Sequence, residues 1–293
     1  MTPRAATFLM FVVNGAVVGT WLASIPGIQA SLNASATEIG LVLLFAAAGA
    51  LLSQQVTGQL LTRISSRHVL LGTSFIFPLL TPLPLLAPSP LALAAVMFAF
   101  GAVNTAMDVT MNAHGVALEQ SGGKSIFSGL HAGWSIGGII GAVGVGIAVT
   151  AGVAGVAEAL VAALLLWLVV LVAGRFLGTG SVKTEGASGI SWPSRAVLPV
   201  ALLIALIAFV EGGLSDWGGI YLRRGLGSTA EVAAFAYAAL SLGLTIGRLG
   251  GDTIKDRIGS IRLIQVGMLL AAVAIPVMLL IGDAIVALLG LVV

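Results

Sequence analysis

Asp108 is a carboxyl in the middle of a long apolar run, and Asn104 and Asn112 stand four residues to either side, on one face of a helix. A charge at the centre of a membrane helix costs at least ~2.5–3.5 kcal/mol, so such a group faces a cavity or a partner. Three polar side chains on one stripe exceed what packing needs, which suits a functional site. The alternative is a hydrogen-bonding stripe that joins neighbouring helices. Glu211 is a second carboxyl inside an apolar run, followed by Gly212-Gly213, a pair able to loosen the helix and turn the carboxyl towards water. Its alternative is a protonated Glu bonded to nearby backbone. Asn14 lies mid-run near the start of the chain, and Asp216, nearer a run's end, is expected to pair with Arg223 or Arg224. His131 and Trp134 are one turn apart, with Ser128 and Ser135 beside them. A His can change charge near neutral pH, or simply pack. Trp21 and Trp217 sit near the ends of their runs, and His114 reads as interfacial, with no role.

Metal and nucleotide chemistry lack their signatures. The chain has no cysteine, no H-E-x-x-H and no phosphate-binding glycine loop, so no metal ligand set, cofactor or enzyme activity is expected. Without a nucleotide motif, any pumping must draw on an ion gradient. The net charge of +2 comes from loops and gives no reason to expect a nucleic-acid partner.

The elements that carry these residues follow from composition. Of 293 residues, 58% are hydrophobic and 8% charged, against roughly a quarter charged in a soluble domain. Mean hydropathy is +1.12. Crossing a ~30 Å hydrocarbon layer takes ~20 residues of helix, and runs of that kind fill the chain. The sequence predicts an all-α polytopic membrane protein with spans at 5–29, 38–61, 68–87, 90–117, 127–150, 153–177, 196–222, 230–251 and 261–281. A tenth begins near Ala284 and meets the chain end. The first run is too long for a signal peptide. Pro78, Pro82 and Pro84 predict a kinked, irregular third span. Gly129, Gly133, Gly137 and Gly141 recur at every fourth position of the fifth, a ladder that lets another helix approach closely.

Charge placement predicts orientation. With the N-terminus cytoplasmic, Arg4, Arg63, Arg67, Lys124, Arg175, Lys183, Arg195, Arg248, Lys255, Arg257 and Arg262 lie inside, and only Arg223 and Arg224 outside. The Gly-, Ser- and Thr-rich stretch around Lys183 and Glu185 reads as a cytoplasmic linker over 178–195, between a six-helix bundle at 1–177 and a partial second bundle at 196–293.

The two parts repeat. Ser35-Ala-Thr-Glu38 and Ser228-Thr-Ala-Glu231, 193 residues apart, each read as a capping box opening an apolar helix that ends in a glycine and a basic turn. The first turn runs Gly58-Gln-Leu-Leu-Thr62-Arg63-Ile-Ser-Ser-Arg67, and the second keeps Asp256-Arg257-Ile-Gly259 and Arg262, with Asp252 at the place of the motif glycine. Both resemble the motif G-x-L-x-D-R-x-G-R-R/K of the major facilitator superfamily. Trp21-Leu-Ala-Ser-Ile-Pro-Gly-Ile, Ala106-Met-Asp108-Val-Thr-Met-Asn112, Gly129-Leu-His131, Glu211-Gly-Gly-Leu-Ser-Asp216-Trp217 and Gly247-Arg248 are similar to an uncharacterised inner-membrane branch near the fucose-permease-like sugar symporters.

The resemblance implies alternating access between two bundles, multi-pass in the cell inner membrane, with solute bound between them. It implies a path lined by spans one, four, seven and ten, and Asn14, Asp108 and Glu211 fall in the first three. It also implies proton coupling at an acidic residue of the fourth span, where Asp108 matches in kind. The family's twelve spans exceed those present, which reads as a fragment or a shortened form. Proton-coupled symport of a small solute is therefore expected, with Asp108 and Glu211 as proton sites. Asn14, Trp21, Asn104, Asn112, His131, Trp134 and Trp217 would line the solute path. Gly58, Arg63, Arg67, Arg248, Asp256, Arg257 and Arg262 would form a cytoplasmic gate, Arg248 joining the Asp256-Arg257 turn. Efflux antiport is the alternative, weakened because Gly133-Trp134-Ser-Ile-Gly137-Gly138 lacks the Gly-Pro pair of those antiporters. A non-transporting remnant or interaction partner is the reading of another class. The 6% aromatic content argues mildly against a sugar site.

Overall fold

The computed structural model describes residues 1–122, 126–178 and 197–293, excluding the side-chain surroundings of 122 and 252. Lys124, Lys183, Glu185, Arg195 and all of the expected linker but Gly178 lie outside the described residues, as does the side chain of Asp252. The helices are α1 Pro3–Ser31, α2 Ala36–Arg63, α3 Ser66–Ile76, α4 Leu83–Leu86, α5 Pro90–Gly122, α6 Phe127–Thr150, α7 Val156–Gly174, α8 Leu198–Ile220, α9 Ala230–Ala234, α10 Ala236–Ile258, α11 Ser260–Ile281 and α12 Ala284–Val292. Among the described residues, nine stretches are long and apolar enough to cross a membrane. They match the nine expected spans to within a few residues, because each is bounded by a cap, a glycine or a proline. Thr2 accepts from the Ala5 N–H to open α1, and Asp283 accepts from Ile285 and Val286 to open α12.

The third span is irregular, as its prolines predict. Helix α3 gives way to a 3-10 turn at Phe77–Leu80 and then to the single turn of α4. The eighth is also broken, at Phe235 between α9 and α10. Pro26 and Pro276 by contrast lie within continuous helices.

The two expected capping boxes differ. Ser35 and Glu38 form the full reciprocal box. At the second copy the cap is Thr229, whose side chain accepts from the Val232 N–H. Ser228 instead gives both its N–H and its hydroxyl to the Leu222 carbonyl. The π-helical turn Tyr221–Gly225 leaves that carbonyl to be satisfied, and the cap moves one residue on. Arg223 donates to the Ser228 carbonyl at 2.7 Å in the same turn, and no ion pair joins it or Arg224 to Asp216 among the described residues.

Glycines decide how closely the helices pack. A Cβ on Gly137 would lie 2.1 Å from the Val12 carbonyl oxygen, and one on Gly141 would lie 2.2 Å from that of Ala16. Gly15 and Gly19 of α1 meet the Trp134 and Gly138 carbonyls of α6 as closely. The expected ladder thus packs α6 on α1 backbone to backbone, with Gly133 against the Phe8 ring. Gly129 faces open space and takes no part. Gly49 and Gly101 join α2 to α5 in the same way, and Ser53 adds a 2.6 Å hydrogen bond to the Ala102 carbonyl. Gly138 lies about 100° round the helix from Gly137 and so faces elsewhere, towards Tyr237 and Ser241 of α10. A Gly-Gly pair therefore lets α6 press on α1 with one face and on α10 with another.

The remaining faces are apolar and open. Phe209 is 80% exposed and Leu280 85%, with Leu202, Ile204 and Leu269 exposed beside them. That is the surface a membrane helix turns to lipid chains, and far more than a soluble protein shows.

Candidate functional site

Polar side chains gather where α1, α5 and α6 meet α8 and α10. Asn14 of α1 donates its Nδ2 to Asn104 Oδ1 of α5 at 3.0 Å, and accepts from the Trp134 indole N–H of α6 at 2.8 Å. Asn14 is almost wholly buried, so a side chain with both donor and acceptor satisfied is what its position requires. Further along α5, Asn112 donates to the Asp108 carboxylate at 3.1 Å and to its carbonyl at 2.9 Å. The Asn104–Asp108–Asn112 stripe therefore divides: Asn104 turns to α1, while Asp108 and Asn112 bond to each other. Asp108 has no cationic partner among the described residues.

Arg248 of α10 completes the other side. Its guanidinium lies over the Trp134 ring, 5.2 Å from the centroid. Nη1 donates to Ser135 Oγ and, at 3.4 Å, to the His131 carbonyl, both on α6. Nη2 is 3.7 Å from Glu211 Oε1 of α8. Ser128 Oγ in turn donates to the Arg248 carbonyl. The side chains of Arg248 and Glu211 stay 26% and 35% exposed, so the protein does not seal the pair off.

Several expectations are corrected here. Arg248 does not reach towards the Asp256-Arg257 turn. It lies more than two helical turns before that turn, and its long side chain finds Glu211, Ser135 and the indole instead. Gly212-Gly213 do not loosen α8, which runs unbroken to Ile220; the distortion comes later, at the π turn. His131 turns its ring between Phe11 and Phe127, at centroid distances of 5.4 and 5.0 Å, and offers the polar row only its carbonyl. Trp21 is buried against Phe100 rather than on that row. His114 is fully buried, not interfacial. Trp217 is half-buried and packs near Gly40 of α2.

The expected gate residues other than Arg248 fall near where α2 passes to α3 and α10 to α11. Arg67 Nε donates to the Leu177 carbonyl at 3.0 Å, tying the start of α3 to the end of the sixth span. Gly58, Arg63, Asp256, Arg257 and Arg262 are exposed. Tyr237, buried against α6 beside Gly138, is a site neighbour that the sequence reading missed. The signal for it was the second glycine of Gly137-Gly138, which falls off the four-residue ladder and so marks a second close contact.

Comparison with known proteins agrees with this architecture. The sequence model of the Major Facilitator Superfamily matches residues 7–293. The chain belongs to that superfamily, a family of membrane transporters and not of enzymes. An uncharacterised MFS-type transporter of Yersinia pestis is 28% identical over 290 residues, covering 99% of this chain and 76% of that protein. Membrane protein MosC of Rhizobium meliloti is 31% identical, covering 93% of this chain and 66% of its own length. Among solved structures, a mutant of the nucleoside transporter NupG superposes with a TM-score of 0.74 at 15% identity, over 99% of this chain and 78% of its own. A bacterial homologue of the lysosomal transporter Spinster, inward-facing and unoccupied, gives 0.66 at 16% identity, over 99% and 71%. At these identities the structures establish the fold alone.

Proposed function

We propose that this chain carries a small polar solute across the cell inner membrane by proton-coupled symport, with its N-terminus cytoplasmic and its halves at 1–177 and 196–293 rocking about the space between them. The observation that carries the reading is the polar row itself. Asn104, Asn14, Trp134, Arg248 and Glu211 form a chain of contacts from α5 through α1 and α6 to α10 and α8, across both halves of an otherwise apolar molecule. Polar groups at that depth are costly unless they serve a solute or ion path.

Asp108 and Glu211 are the proton carriers in this reading. A carboxylate must not cross apolar surroundings bare, and a bound proton removes that barrier, so the carrier reorients only in defined loading states. Asn104 and Asn112, both half-buried, offer polar groups to the solute, and Asn14, buried and fully bonded, holds Asn104 and Trp134 in place. The test is uptake into proteoliposomes under an imposed pH gradient. Asp108→Asn keeps size and hydrogen bonding but cannot carry a proton. It is expected to abolish gradient-driven accumulation and to leave counterflow exchange largely intact. Normal accumulation by this variant would reduce Asp108 to a packing residue, and uptake by the unaltered protein that ignores the gradient would remove the coupling.

A further inference from the structure

We propose that Arg248 is the anchor for a carboxylate group of the transported solute, and that Glu211 occupies this anchor when solute is absent. The inference rests on the reading of this space as the solute path, and adds to it the chemical class of the solute.

A guanidinium offers five N–H donors in a rigid planar fork. Nη1 directs its two to the Ser135 hydroxyl and the His131 carbonyl, and the face rests on the Trp134 indole. These contacts, all to one helix, fix where the group sits. They leave the Nε and Nη2 side of the fork, the edge that a carboxylate accepts with both oxygens at ~2.7–2.9 Å per bond. Glu211 is the group now nearest that edge, and it meets it poorly. One oxygen approaches Nη2 at 3.7 Å, beyond hydrogen-bond reach, and Nε has no partner among the described residues. Both side chains keep a quarter to a third of their surface open. A permanent structural ion pair at this depth would close to a bidentate contact, because only excellent geometry offsets the desolvation of two charges. A loose, single-oxygen contact on an open edge instead holds the guanidinium neutralised and easily displaced.

The rest of the row fits a solute that carries hydroxyl or amide groups next to its carboxylate. Asn104, half-buried, lies beyond Trp134 and the buried Asn14 in the same contact chain. The indole face nearest Arg248 is already covered by the guanidinium, so it is not available for a sugar ring to stack on.

The test is binding to the purified full chain, read as thermal stabilisation and tryptophan fluorescence. The probes are two carboxylates, D-glucuronate and L-lactate, and their neutral counterparts D-glucose and L-lactamide. The expected result is that a carboxylate binds and its counterpart does not. Arg248→Lys keeps the charge but loses the fork, and should weaken carboxylate binding ~10-fold. Glu211→Gln removes the competitor and should tighten it by ~5-fold or more. Glu211→Gln keeps the proposal testable should the Arg248 variant fold poorly. Equal binding of the neutral counterparts, no binding of either carboxylate, or affinities unchanged in both variants would overturn it. Uptake of the bound carboxylate that ignores a pH gradient would remove the proton coupling and leave this anchor standing. Gradient-driven uptake of glucose that is indifferent to Arg248→Lys would do the reverse.

Discussion

Helix α6 makes two seams of opposite kinds. Towards α1 it is backbone against backbone: Gly137 and Gly141 on one side and Gly15 and Gly19 on the other, with no room for a single methyl group. Towards α10 it is side chain against side chain: Arg248 on Trp134 and Ser135, with Tyr237 and Ser241 at Gly138. A glycine seam gains from many small contacts that exist together or not at all, so it acts as a rigid joint. A seam of hydrogen bonds and one cation can be parted and remade, since its members find other partners. In the proposed two-bundle carrier, the first kind belongs inside a bundle and the second between the bundles.

Filling the α1 seam should break the molecule. Gly137→Val puts a branched side chain where even a Cβ would sit 2.1 Å from a carbonyl oxygen. We expect a loss of more than ~3 kcal/mol or failure to accumulate in the membrane, measured by thermal unfolding in detergent. Survival at normal melting temperature would mean that the joint is soft. The α10 seam should respond differently. Gly138→Ala meets the Ser241 hydroxyl and the Tyr237 ring at 2.9 and 3.1 Å, both movable side-chain atoms. A cost of about 1 kcal/mol is expected, with a larger effect on transport rate than on stability. Equal effects on both would erase the distinction between the seams.

Smaller changes sharpen the contrast. Trp134→Phe keeps a ring beneath Arg248 but removes the N–H that Asn14 accepts, and leaves a buried amide oxygen short of a partner. The expected cost is ~1–2 kcal/mol, and a double-mutant cycle with Asn14→Ala should show coupling between the two. Gly129→Ala should be neutral or stabilising by up to ~1 kcal/mol, because that rung of the ladder faces open space. A destabilisation as large as that of Gly137→Val would show a contact at Gly129 that the fold does not contain.

The sequence by itself determined the helices and their membrane setting. Apolar runs of sufficient length, prolines and glycines at their ends, and the capping box at Ser35 are local signals, and local geometry obeys them wherever the chain goes. The glycine ladder was legible for the same reason, since a four-residue period marks one face of one helix. So was the grouping of Asn14, Asn104 and Trp134 as candidates, because polar side chains in apolar spans are conspicuous. The partners were not legible. That Trp134 donates to Asn14, that Asn104 turns away from Asp108, and that Arg248 lies by Glu211 rather than the basic turn depend on how helices rotate against each other. A turn of about 100° per residue separates Gly137, which faces α1, from Gly138, which faces α10. Even the cap at Thr229 was decided by the chain around it, because the carbonyl left free by a π turn at Leu222 claimed Ser228 first. Tertiary packing assigns partners because a long side chain reaches several neighbours, and only the placement of whole helices decides which one it meets.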